Sequence, residues 1–76
     1  MKIRAIYDNG GKTLDRITVV VNQKNNDNSW DCLCLSHNGV AFSQWSTCQQ
    51  GRHLGKKVSF EELSPELQKH IESRLK

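Results

Sequence analysis

The chain has 76 residues, 36% hydrophobic and 25% charged, and its 11 Lys and Arg against 8 Asp and Glu give a formal net charge of +3. That length makes one domain, 1–76, which buries only about 60% of the surface its unfolded chain exposes and leaves no room for a deep cofactor cavity beside a core. The composition is too apolar for disorder, no run is apolar enough to span a membrane, and the mildly basic balance permits an acidic partner without requiring one.

The opening "MKIRAIYDNGG" lacks the long apolar stretch of a secretion signal. The expected location is therefore the cytoplasm, that of the host cell if the chain is phage-encoded. Three cysteines, Cys32, Cys34 and Cys48, fit a reducing compartment better than a disulfide framework.

Residues 2–7, "KIRAIY", alternate with a period of two. They predict a strand with Ile3, Ala5 and Tyr7 on one face. "DNGG" follows, the strongest turn signal in the chain, because Asn and Gly tolerate the positive φ of tight hairpins. Residues 15–22, "DRITVVVN", are β-branched and predict the returning strand, with Ile17, Val19 and Val21 on one face. The polar stretch 22–29 reads as a mobile, solvated loop. "WDCLCL" (30–35) predicts a strand, "SHNG" (36–39) a turn, and "VAFSQWS" (40–46) the return of a second hairpin. Residues 47–57 read as a long loop, basic at its far end, and 58–60 as a short extended piece.

The tail, 64–76, predicts a helix with its end signals in place. Ser64 is a good N-cap and Pro65 suits the first helical position. Leu67, Ile71 and Leu75 recur as one apolar stripe. The expected fold is α+β: a small antiparallel sheet of about four strands in two hairpins, with this helix packed on one face.

Gly11-Lys12-Thr13 spells the end of a phosphate-binding P-loop, but position 6, where the motif needs its first Gly, is Ile. The segment that follows reads as a strand, so no helix N-terminus would face a phosphate. The same turn gathers Asp8, Lys12, Asp15 and Arg16, charges that can pair with each other or with a partner. The second basic cluster is "GRHLGKK", with Arg52, His53, Lys56 and Lys57 between and beside two glycines; such a loop suits phosphate or an acidic protein surface. Trp30, Phe42 and Trp45 are the large aromatics of the central strands. At least two of them are expected in the core, and an exposed Trp45 would be a binding anchor.

Cys32, Cys34, His37, Cys48 and His53 have the right chemistry for zinc, but the C-x-C-x₂-H-x₁₀-C-x₄-H spacing contains no C-x₂-C pair. The competing reading packs Cys32 and Cys34 as small buried hydrophobes beneath the helix. A Cys48/His53 nucleophile pair would need an oxyanion loop that the sequence does not supply. The expectation is therefore a chain with no catalytic residues, no metal and no cofactor.

The pieces Tyr7–Thr13, Asp15–Arg16, Thr18–Val20, Phe42–Trp45 and His53–Lys56 resemble a pattern in small proteins of phages, plasmids and other mobile elements. The chain departs from that pattern at Ile17, where an aromatic is expected, and in its Asn-rich loop. The resemblance implies a stoichiometric inhibitor of a host defence complex, of the anti-CRISPR kind, and carries over no catalytic residues. On this reading Lys12, Arg16, Trp45, Arg52, His53, Lys56 and Lys57 meet a host protein or nucleoprotein. The chain would act as a monomer or homodimer. The alternatives are direct nucleic-acid binding through the same cations and a zinc-binding or Cys/His-dependent mini-domain.

Overall fold

The structure, a computed structural model, describes residues 2–12, 15–36 and 43–76. Five strands form one antiparallel sheet: β1 (Ile3–Asp8), β2 (Asp15–Lys24), β3 (Trp30–Ser36), β4 (Ser43–Cys48) and β5 (Lys56–Val58), in the order β4-β3-β2-β1-β5. The helix α1 (Pro65–Leu75) closes the chain. The expected α+β architecture is present, with five strands rather than four. The fifth takes Lys56 and Lys57 from the expected loop and Val58 from the short extended piece expected at 58–60: Lys56–Val58 cross to the far side of β1, pairing Val58 with Ile6, Lys57 with Tyr7 and Lys56 with Asp8. Three residues are too few to announce a strand by periodicity, and only the open edge of β1 makes them one.

Each face of the sheet is covered by a different connection. On one face Ile6, Ile17, Val19, Leu33 and Leu35 pack against Leu63 and Ile71, with Leu67 and Leu75 at the margin. This is the predicted helix stripe seated on the alternate residues of the inner strands. Ser64 caps the helix as expected, its Oγ accepting from the Leu67 N–H at 3.3 Å. On the opposite face Ala5, Tyr7, Val20, Cys32 and Cys34 form a second cluster with Trp30, Cys48 and Leu54 beside it. The segment that crosses from β4 to β5, including a 3₁₀ turn at Arg52–Leu54, covers this side.

Three expectations are corrected here. The register between β1 and β2 slips between Ile3 and Ala5. This bulge at Arg4 places Ile3 with Ile6 on the helix side, while Ala5 and Tyr7 face the other way. Cys32 and Cys34 are buried hydrophobes, but on the face opposite the helix, because their neighbours Leu33 and Leu35 take the helix side. The polar loop is shorter than expected, since β2 runs to Lys24, and it is a bonded turn. Asn25 N–H donates to the Ser29 carbonyl at 2.8 Å, Asn28 takes φ +69°, and the Asp27 carboxylate accepts from the N–H and Oγ of Ser29 at 3.0 and 2.6 Å. Side chains that read as solvated are here satisfying one another.

Of the aromatics, Trp30 is half-buried beneath the Arg4 guanidinium, 4.1 Å from its ring centre, and Trp45 is 37% exposed. Of the turn expected at 36–39, Ser36 instead ends β3; the rest of that turn, like Phe42 and the first residues of the strand expected from 40, lies outside the described residues. Of the three aromatics expected to place at least two in the core, the two described are thus one half-buried and one exposed.

Candidate functional site

The turn after β1 is built by its own side chains. Asp8 Oδ1 accepts from the Gly10 N–H at 2.8 Å, and Asn9 Oδ1 accepts from the N–H groups of Gly11 and Lys12 at 2.8 and 3.1 Å. Asn9 also closes the hairpin, donating its Nδ2 to the Asp15 carbonyl and its backbone N–H to the Arg16 carbonyl, each at 3.0 Å. The Gly11 and Lys12 amides are thus occupied, and β2 follows from Asp15, so among the described residues neither the free N–H groups nor the helix start of a P-loop is present. Lys12 is left projecting from a rigid turn, exposed.

Gly55 brings the second basic segment to this turn. Its φ is +107°, and a Cβ there would collide with the Asp8 carbonyl oxygen and stand 2.5 and 2.6 Å from Asn9 Cα and N. Only glycine permits both the conformation and the approach. Its N–H closes the 3₁₀ turn by donating to the Arg52 carbonyl at 3.0 Å. The result is an open basin of about 540 Å³ at the β5 edge, walled by Lys12, Arg52 and Lys56 over Asp8, Asn9 and Gly55.

Asp8, the carboxylate in the basin, is already engaged. Arg16 donates from Nε at 3.0 Å and from Nη2 at 3.3 Å to its two oxygens. That contact, helped by the Gly10 N–H and by Lys56 nearby, holds the carboxyl below its ordinary range against a modest burial penalty. Lys12, Arg52 and Lys56 therefore give the basin a net positive field. Glu62 lies near enough to Lys56 to be held below its usual value in part by it, but its main partner is the Ser59 N–H at 2.6 Å.

The predicted contact residues thus divide. Lys12, Arg52 and Lys56 converge. Arg16 is not in the lining and is turned onto Asp8. Lys57 pairs with Tyr7, whose side chain belongs to the other face of the sheet, so the pleat sends Lys56 and Lys57 opposite ways. Trp45 stands on β4 at the far edge, four strand spacings or about 19 Å away. His53 lines a different pocket. Sequence reasoning read Asp8 and Asn9 as part of a turn but missed Gly55 as the point of contact that brings the second basic segment to it. The only available signal was the glycine inside the basic run.

His53 looks onto a pocket of about 270 Å³ on the second face, together with Cys32, Cys34, Cys48, Leu54 and Asp15. Cys32 Sγ lies 3.8 Å from Cys34 Sγ. Either sulfur can donate across this contact; the contact pushes the Cys32 thiol far above its ordinary range, burial adding to the effect, and lowers that of Cys34. Burial also raises Cys48. The register sets the three thiols in a row rather than a cluster: Cys48 pairs with Trp30, on one side of Cys32, while Cys34 lies two residues away on the other. Among the described residues no three His, Cys, Asp or Glu side chains are grouped as metal ligands; His37 lies outside that set.

No family model, no curated protein and no solved structure matches the chain. Among the described residues no helix is long and apolar enough to cross a membrane.

Proposed function

We propose that this chain is a non-enzymatic binding module that docks its basic basin onto an acidic face of a host protein or nucleoprotein and blocks it, as an inhibitor of a defence complex would. The observation that carries the reading is the convergence of Lys12 with Arg52 and Lys56, which are distant in sequence, through the close seat of Gly55 on the β1 turn. A preformed cationic basin, built from a bonded turn, a 3₁₀ turn and an edge strand, loses little freedom on binding and draws an acidic partner at long range. A protein partner fits better than bare nucleic acid. The cations form a spot rather than a track along the surface, and the exposed Trp45 is too far across the sheet to stack bases beside them.

The test is recovery of a partner from nuclease-treated lysate by the wild type and by a Lys12→Glu, Arg52→Glu, Lys56→Glu triple variant, with Lys57→Glu as the control. The reading expects a protein held by wild type and control and lost by the triple variant, whose fold is unchanged by circular dichroism. Equal capture by the triple variant would overturn the basin. If capture instead vanishes with nuclease, and duplex DNA binds with a log–log salt slope of about −2.7, the 0.9 per phosphate expected of three neutralised contacts, the nucleic-acid reading replaces it.

A further inference from the structure

The two outer edges of the sheet differ in how they are guarded. An edge strand presents unpaired N–H and C=O groups, and proteins protect such edges with charge, proline, irregularity or brevity. The β5 edge is short and carries Lys56 and Lys57. The β4 edge has none of these defences. Its six residues, SQWSTC, contain no charge and no proline. They pair with β3 in unbroken register from Trp30↔Cys48 to Leu35↔Ser43. Ser43 is further fixed by a 2.9 Å hydrogen bond between its Oγ and Nε2 of His70 on α1. At its middle Trp45 is exposed, the one large hydrophobic in that state among the described residues.

We infer that β4 is a self-association edge, on which two copies of the chain pair antiparallel about a two-fold axis at Trp45. Residues directly opposite in an antiparallel pair share a face, so a two-fold normal to the sheet must set a residue against itself or against one of like parity. Centring on Trp45 pairs Ser43 with Thr47, Gln44 with Ser46, and the two indoles with each other. This register covers each exposed Trp45 with the other and completes both rows of backbone hydrogen bonds. A one-residue slip would break the parity. The neutral strand suits its own copy because no like charges meet across the seam, whereas an acidic partner is drawn to the opposite, basic edge. The contact is isologous and closes at two. It makes a ten-stranded sheet with a basin at each end, nine strand spacings or about 43 Å apart, and so bivalent for a repeating partner.

Sedimentation equilibrium and light scattering across concentration test the assignment. The wild type is expected to form dimers and no larger species. Trp45→Lys, which removes the aromatic pair and sets two ammonium groups face to face, is expected to weaken dimerisation at least about tenfold while keeping the far-ultraviolet spectrum. If that variant fails to fold, Trp45→Cys decides the matter: antiparallel neighbours stand about 4.5–5.5 Å apart, so mild oxidation should give a covalent dimer linked through position 45. A wild type that stays monomeric at every concentration would overturn the inference, as would a dimer that survives Trp45→Lys unchanged or a Trp45→Cys chain that yields no link at that position.

Discussion

Replacing Gly55 by alanine tests the geometry that assembles the basin. At φ +107° an L-residue is strained by roughly 1–2 kcal/mol. The added methyl would also enter the space of the Asp8 carbonyl oxygen and the Asn9 backbone. Those atoms belong to a strand end and a bonded turn, so relief requires a backbone shift, which typically costs about 1–3 kcal/mol. The expected loss is therefore about 2–5 kcal/mol, a large part of the roughly 4–11 kcal/mol that a chain of this size commands. Gly10→Ala is the matched control. Gly10 also has positive φ, +74°, but a Cβ there meets nothing within 4 Å. It should lose only the conformational part, and the gain from a stiffer unfolded chain is common to both and cancels. In urea, with a slope of about 1 kcal/mol per molar for a small protein, Gly55→Ala should unfold about 1–3 M earlier than Gly10→Ala. Coincident midpoints would refute the argument that the close approach of residues 55 and 8–9 holds the second basic segment in place.

Two further outcomes follow from the charges and thiols. The Asp8 carboxyl is held below its ordinary value of 3.8 by Arg16, so the ion pair stabilises the fold fully above that value and the contribution is lost as pH falls through the lower folded pKa; Arg16→Gln should flatten this acid limb slightly, as expected of an exposed pair, in urea midpoints measured against pH, and an unchanged limb would contradict it. Cys48 is half-buried whereas Cys32 is 1% exposed and Cys34 9%, so a thiol reagent should modify one cysteine quickly in the folded protein and the other two only as the sheet opens; loss of the fast phase in Cys48→Ser confirms the assignment, and its persistence contradicts it.

The sequence revealed what rests on repetition and on strong local chemistry. The β-branched run of β2, the Asp-Asn-Gly-Gly turn and the Ser64-capped stripe of Leu67, Ile71 and Leu75 all stand where the pattern placed them. Features decided by partners distant in sequence were not legible. A bulge at Arg4 reverses the facing of Ile3 without any mark in the alternation. Lys56–Val58 become a strand only because β1 has a free edge. Cys32 and Cys34 were correctly read as sharing a face, but nothing local says whether that face meets the helix or the crossing loop. The basic residues were legible as two clusters. Their division into a basin of Lys12, Arg52 and Lys56, an Arg16 engaged by Asp8, an oppositely directed Lys57 and a distant Trp45 required the pleat and the strand order.

The most direct measurement is a backbone amide titration by nuclear magnetic resonance, with polyglutamate added as a model acidic surface. The account predicts that Gly10, Lys12, Arg52, Gly55 and Lys56 shift together along one saturable curve, that salt reverses the shift, and that the Trp45 indole stays still. Shifts centred on β4 or on the thiol pocket, or scattered weakly over every lysine, would show that the basin is not where this protein meets its partner.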